Sequence, residues 1–101
     1  MTEFTIESIR GEIDALDRQI VQLIAQRQKW VVEAGKLKTD RTAVQAPDRV
    51  EKVIAKVRGL ATEFEADPEV VERSYRSMIA AFIDIELSVH LKHQGEEMLS
   101  S

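Results

Sequence analysis

The residues best suited to chemistry in this 101-residue sequence are basic side chains and one carboxyl group. Arg27 lies on a stripe of apolar residues spaced three and four apart, where a guanidinium that keeps its charge needs an anionic partner. At about 100° per residue, Lys38 lies within about 20° of Arg27 on the same helix face and about 16 Å further along it. A small dicarboxylate could therefore bind between these two cations.

Three more charged residues could complete such a site. Arg10 is about 25 Å from Arg27 and turned by roughly 100°, so it could reach the site only in a second chain that lies antiparallel to the first or crosses it. Arg49 follows a connection that can fold it back over the end of the first helix. Glu86 lies beside the apolar stripe of the last helix, where a carboxylate needs a partner or a proton. Alternatively, each of these three residues is a surface charge that is solvated or paired with a neighbouring side chain.

Helices must position these residues, because no strand or hairpin pattern is found. The apolar stripe predicts a first helix of roughly 50 Å, too long for the rest of so short a chain to cover, so we expect a dimer or higher association. Pro47 and Pro68 suit the first turns of helices. The fold class is therefore all-α, with three helices per chain. The predicted segments of the single domain 1–101 are helices at 5–38, 47–65 and 68–94, a connection at 39–46 and a flexible tail at 95–101.

Composition excludes several classes of function. The formal net charge of −4 argues against a general nucleic-acid binder, whose affinity needs a basic surface. The absence of cysteine excludes disulfides and thiol chemistry, and it fits a reducing cytoplasm. No signal peptide and no apolar run of about 18 residues are found, so we expect a soluble cytoplasmic protein that binds no membrane.

Two further features have more than one explanation. Gly35 lies inside the first helix, where glycine costs about 1 kcal/mol relative to alanine, and it could provide either close helix packing or backbone room for a ligand. His90 and His93 have a spacing that could hold a metal, but no third ligand is evident, so no metal site is predicted. No phosphate-binding glycine loop or nucleophilic triad is found. The charged residues are thus suited to electrostatic stabilisation without covalent catalysis.

The run IRGEIDALDRQIVQLIAQRQKWVVEAGKLK resembles the first helix of the all-helical chorismate mutases. The shared pattern is an arginine seven residues before an aspartate, an arginine ten residues after it, and then V-x-x-G-K-x-K. Here these are Arg10, Asp17, Arg27 and residues 32–38, and the likeness continues through PDRV at 47–50 into the third helix. The pattern is specific as a whole, although no single part of it is.

The resemblance implies an intertwined homodimer with two identical pockets, and a Claisen rearrangement of chorismate to prephenate without cofactor or metal. Arg27, Arg49 and the partner's Arg10 would bind the two carboxylates of the substrate. Lys38 would donate to the ether oxygen, where negative charge develops as the C–O bond breaks. Glu86 matches the family position that makes a second contact with the ether oxygen, and that position is often occupied by Gln in the family. The pocket would be lined by Ala34, Val50, Ile79, Phe82 and Ile83.

Departures from the mutase pattern leave the substrate open. Ala46 and Val50 occupy positions that are acidic in familiar bacterial mutases, Phe82 replaces a small hydroxyl residue, and the connection after the first helix is one residue shorter. These features resemble the isochorismate-pyruvate lyases of salicylate biosynthesis, and a third relative acts on 4-amino-4-deoxychorismate. Glu86 favours a mutase, and we favour chorismate rearrangement. A helical module that dimerises or regulates another enzyme without catalysis is the alternative from a different class.

Glu86 also predicts a dependence on pH. Only a protonated carboxyl can donate to the ether oxygen. Neighbouring cations favour the ionised form and burial favours the protonated form, so both states stay open. We expect activity to decline as pH rises and Glu86 loses its proton, and we expect Glu86→Gln to flatten the profile.

Overall fold

The computed structural model describes the backbone of residues 3–38 and 40–100, and the side chains at 90 and 93–100 lie outside the description. Every described element is a helix, which confirms the predicted all-α class. The chain divides into two compact units, Met1–Trp30 and Val31–Ser101. The helices are α1 (Ile6–Leu37), α2 (Arg41–Gln45), α3 (Pro47–Glu63) and α4 (Pro68–Ser100), of which α1, α3 and α4 correspond to the three predicted helices.

The unit Met1–Trp30 contains α1 up to its last two turns. Thr5 and Ser8 cap the start of α1 reciprocally, because each backbone N–H donates to the other residue's hydroxyl oxygen at 3.0 Å. The predicted apolar stripe is exposed in the single chain, where Ile13 keeps 49% of its surface accessible. We call this surface the α1 stripe, and it consists of Ile6, Ile9, Ile13, Leu16, Ile20 and Leu23.

A short helix, α2, occupies most of the segment predicted as a connection at 39–46. Asp40 is its N-cap, since Ala43 N donates to Asp40 Oδ1 at 2.7 Å. The helix ends at Gln45, and its C-cap is Ala46, whose φ of 34° lies in the left-handed region; α3 begins at the next residue. Val44 is fully buried and fixes α2 within the second unit. Five residues carry too little periodicity to predict such a helix from sequence.

The helices α3 and α4 pack against each other as a helical hairpin. α3 ends in a Schellman motif, in which Glu65 has a left-handed φ of 59° and Ala66 N donates to Ala61 O at 2.8 Å. Asp67 caps α4 by accepting from the backbone N–H two residues later, also at 2.8 Å. Pro68 is the first residue of α4, as its fixed φ predicts.

The core of the second unit lies between α3 and α4, on the faces that carry three–four spacing of apolar residues in the sequence. Burial of each large aliphatic side chain stabilises the unit by about 1.5–3 kcal/mol before entropy is counted. The buried cluster consists of Val53, Ile54, Val57 and Ile79, and the partly buried residues packed on it are Val50, Val71, Tyr75 and Ile83.

The helix ends differ from the predicted bounds by a few residues. α3 ends at Glu63 rather than at 65, because the Schellman motif closes it there. α4 continues to Ser100, past the predicted end at 94, through a sequence that includes the good helix formers Glu, Met and Leu. The flexibility predicted for 95–101 stays a prediction, and Ser101 lies outside the described residues.

Candidate active site

An ion pair joins Lys38, which follows the last turn of α1, to Glu86 on α4. Lys38 Nζ donates to Glu86 Oε2 at 2.5 Å. Glu86 keeps only 8% of its surface accessible, so its carboxyl group is largely removed from water. A buried carboxylate is costly unless a cation and hydrogen bonds compensate for lost hydration, and Lys38 supplies both.

Gly35, in the last turn of α1, brings that turn close to α4. A Cβ atom placed on Gly35 would lie 3.3 Å from Glu86 O and 3.4 Å from Glu86 Cα. The space beside the glycine is therefore occupied by the backbone of α4, which favours helix packing over room for a ligand as the reason for this glycine. Lys38 lies three residues after Gly35 and thus near the same contact.

Arg49 lies at the start of α3 beside an open cavity of about 730 Å³. Its side chain is exposed. Neither Lys38 nor Glu86 is among the described residues that line this cavity, and the placement of Arg49 in one pocket with the ion pair stays a prediction. The lining residues are Asp40, Thr42, Ala43, Ala46, Pro47, Asp48, Arg49 and Lys52.

Lys52 is a cation at this cavity that the sequence analysis did not single out. It lies three residues after Arg49 on α3, so the two side chains share a helix face. This spacing is the sequence feature from which Lys52 could have been identified. Asp40 and Asp48 line the same cavity. The charges around it are therefore balanced rather than uniformly positive.

The five apolar residues expected to line a pocket lie in the second unit with different degrees of burial. Ile79 and Phe82 are buried, with 8% and 5% of their surfaces accessible. Val50 and Ile83 are half-buried and pack on the core cluster, and Ala34 is half-buried near the end of α1. Their contact with a ligand stays a prediction.

Arg10 and Arg27 belong to the first unit, where Arg10 is exposed and Arg27 is half-buried on α1. Their placement in one pocket with Lys38 stays a prediction. Of the five charged candidates, the described contacts bring together Lys38 and Glu86.

Arg76 is the centre of an ion-pair network between α3 and α4. Its two terminal nitrogens donate to the two oxygens of Glu51, and its Nε donates to Glu72, all at 2.9 Å. Arg58 donates to Glu72 at 2.7 Å. The hydrogen bonds from Arg76 lower the pKa of Glu51 and of Glu72 below 4.5, and the two carboxylates raise the pKa of Arg76. These arginines are therefore engaged in joining the two helices.

No group of three or more histidine, cysteine or acidic side chains that could hold a metal ion is found among the described residues. The side chains of His90 and His93 lie outside the description, so the pair is not tested. Within the described part of the chain, no helix is long and apolar enough to cross a membrane.

A carboxyl group and an ammonium group in contact can together hold an oxygen atom of a bound molecule. Lys38 has three N–H donors, and Glu86 has an O–H donor when it is protonated. Donors at a site with little water stabilise negative charge that develops on such an oxygen. With Glu86 protonated, the pair could thus stabilise negative charge on an oxygen atom of a bound molecule.

Comparison with known proteins gives two matches that cover most of the chain. The family model described as chorismate mutase type II matches residues 9–87. An isochorismate pyruvate lyase of Pseudomonas aeruginosa is 31% identical over 78 residues, which are 77% of this chain and 77% of the lyase. The family model covers α3 and continues into α4 past Glu86.

Proposed function

The chain belongs to the chorismate mutase type II family, and on that premise we propose that it catalyses the rearrangement of chorismate to prephenate. The observation that carries the proposal is the 2.5 Å contact between Lys38 Nζ and the buried carboxyl group of Glu86. It places two groups able to bind one oxygen at the junction of α1 and α4.

In the proposed reaction, the bond between a ring carbon and the ether oxygen breaks while the methylene carbon of the enolpyruvyl group forms a C–C bond with the ring. The oxygen stays on the side chain and becomes its carbonyl oxygen. No atom enters or leaves, so no nucleophile, cofactor or external proton is needed. The ether oxygen gains negative charge in the transition state, and Lys38 donates a hydrogen bond to it. Glu86 gives the second contact only when it is protonated, in which case its ion pair with Lys38 becomes a hydrogen bond to a neutral carboxyl group. Holding the enolpyruvyl arm in a reactive pose lowers the barrier further.

Arg27, Arg49 and the partner's Arg10 bind the two carboxylates of the substrate in this proposal. A homodimer is required, because Arg10 acts across the interface. The exposed α1 stripe supports the proposed dimer. Its six large aliphatic side chains lie along one helix face and are exposed to water unless a second chain covers them. Dimer formation and completion of the pocket are then one event.

Isochorismate lysis to salicylate and pyruvate is the second candidate, and the match to the Pseudomonas aeruginosa lyase favours it. The same C–O bond breaks, and a ring hydrogen moves to the methylene carbon that becomes the methyl group of pyruvate. Lys38 would meet the same ether oxygen, so the Lys38–Glu86 contact does not separate the two reactions. Rearrangement of 4-amino-4-deoxychorismate in the same pocket is a third possibility.

Incubation of the purified protein with each substrate separates these reactions. We expect prephenate from chorismate, and the lyase assignment predicts salicylate plus pyruvate from isochorismate. The third substrate, 4-amino-4-deoxychorismate, is tested in parallel. The alternative is a non-catalytic helical module. It is supported if the protein dimerises but turns over none of the three substrates, and if Arg27→Ala changes neither dimerisation nor any turnover.

The role of Glu86 is tested by the dependence of the rate on pH. We expect the wild-type rate to fall as pH rises, because the ionised carboxylate cannot donate to the ether oxygen. Glu86→Gln keeps an N–H donor at every pH, so its profile should be flat. A wild-type profile that the substitution leaves unchanged would refute this role.

A further inference from the structure

Gly35 lies against the backbone of the residue whose side chain meets Lys38. A Cβ on Gly35 would lie 3.3 Å from Glu86 O, 3.4 Å from Glu86 Cα and 3.6 Å from Glu86 Cβ. Glycine is buried there, and its neighbours are mostly backbone atoms of α4 that cannot rotate away as a flexible side chain does. An alanine at this position therefore requires the end of α1 and α4 to move apart by a few tenths of an ångström.

The same residue, Glu86, takes part in both contacts between the end of α1 and α4. Its backbone meets Gly35, and its carboxyl group meets Lys38 Nζ. Lys38 directly follows α1, and its backbone N–H donates to Ala34 O at 3.1 Å, so it continues the turn that contains Gly35. The separation of the two backbones at Gly35 consequently sets the position from which the Lys38 side chain reaches the carboxyl group.

We infer that Gly35 is a positioning residue, whose lack of a side chain fixes the distance between the Lys38 ammonium group and the Glu86 carboxyl group at the substrate's ether oxygen. The inference rests on the proposed function. Rates of well-oriented reactions are sensitive to such distances, because a misplacement of about 1 Å can cost about 100-fold. A displacement of a few tenths of an ångström should then cost roughly tenfold.

Gly35→Ala and Gly59→Ala form a matched pair of variants. Gly59 is a helical glycine of α3 with no atom within 4 Å of an added Cβ, so the same methyl group is placed in open space. We expect Gly35→Ala to lower kcat roughly tenfold while KM changes less than about twofold, and Gly59→Ala to leave both unchanged. Equal kcat in the two variants, with only the melting temperature of Gly35→Ala lowered, would show a merely structural role and overturn the inference.

Nitrogen-15 NMR of the Lys38 ammonium group tests the geometry without substrate. A hydrogen bond to the buried carboxyl slows proton exchange, so the signal should be visible in the wild type and in Gly59→Ala, and its loss in Lys38→Arg assigns it. We expect Gly35→Ala to weaken or remove the signal. An unchanged signal overturns the inference even if the protein is an active enzyme. Loss of the signal in a protein that turns over no substrate would instead support the positioning role and refute the proposed function.

Discussion

The two units of the chain carry the same three–four spacing of apolar residues with opposite results. In the second unit, Ile54 on α3 keeps 4% of its surface accessible because α4 covers it. In the first unit, Ile13 on the α1 stripe keeps 49%. The spacing therefore identifies an apolar face but does not tell what covers that face.

Three arginines show a similar difference between the units. On α3 and α4, Arg58 and Arg76 are engaged by glutamates of their own chain. The exposed Arg10 of the first unit is proposed to act in a second chain. The proposed homodimer would account for both the exposed α1 stripe and the exposed Arg10. Four predictions test this difference.

The largest effect is expected from mixing two inactive variants. Arg10→Ala and Lys38→Gln should each lower activity about 100-fold or more, because each removes a group that stabilises transition-state charge. If Arg10 acts across the interface, unfolding the two together and refolding them should restore roughly a quarter of the wild-type activity, since half of the dimers are mixed and each mixed dimer has one intact pocket.

The control for this experiment is the refolding of each variant alone, which should restore nothing. Native mass spectrometry should show that Arg10→Ala still forms dimers, because we expect Arg10 to contribute more to catalysis than to assembly. Mixed dimers without any recovery of activity would place Arg10 outside the partner's pocket.

The second prediction compares one isoleucine in each unit. Ile54→Ala should lower the free energy of unfolding by about 3 kcal/mol, because it leaves a cavity between α3 and α4. Ile13→Asp should dissociate the chain into monomers, because it places a charge on the α1 stripe. Urea unfolding measures the first effect and analytical ultracentrifugation measures the second.

The control for Ile13→Asp is Gln22→Asp, which adds the same charge to an exposed polar position of α1. It should leave the mass of the assembly unchanged. If Ile13→Asp also keeps the wild-type mass and stability, a second copy of the chain does not cover the α1 stripe, and the contrast between the two units needs another explanation.

Most of the fold could be predicted from the sequence, because its signals are local or periodic. Asp67 and Pro68 mark the start of α4, and apolar spacing identifies the faces of α3 and α4 that pack. The helix α2 was missed, since it depends on the cap at Asp40 and on the left-handed Ala46 rather than on periodicity. For the α1 stripe, the sequence indicates that the rest of the chain is too short to cover it, but it does not identify what covers it.

The candidate site was predictable from helical spacing in its residue types but not in its contacts. Lys38 and Glu86 are far apart in the sequence, and only the family resemblance assigned them to one ether oxygen. In the structure the packing of Gly35 on α4 accompanies their direct contact. That packing was one of two explanations left open for the glycine. Lys52 was missed because a second cation on a solvated helix face is common and carries little information by itself.

The third prediction concerns acid unfolding of the second unit. Hydrogen bonds from Arg76 and then from Arg58 hold the pKa of Glu72 below 4.5 in the folded chain. The ionised Glu72 and its two arginine partners therefore stabilise the fold above pH 4.5. This stabilisation is lost as pH falls through the lowered pKa of Glu72. Glu72→Gln should be less stable than wild type near pH 7, and the difference should shrink below pH 4.5, whereas Glu63→Gln, outside the network, should differ little. Urea unfolding at several pH values measures this; a difference that grows in acid would contradict the assignment.

The smallest effect is expected at the turn between α3 and α4. Glu65 has a φ of 59°, a conformation that glycine adopts without the strain of a Cβ atom. Glu65→Gly should therefore raise the free energy of unfolding by about 1 kcal/mol. Lys56→Gly, inside α3, should lower it by about the same amount, because the backbone there is helical. If both glycines destabilise the protein in urea unfolding, the side chain of Glu65 contributes more than its strained backbone costs, and the hairpin of the second unit depends on contacts that the turn geometry alone does not predict.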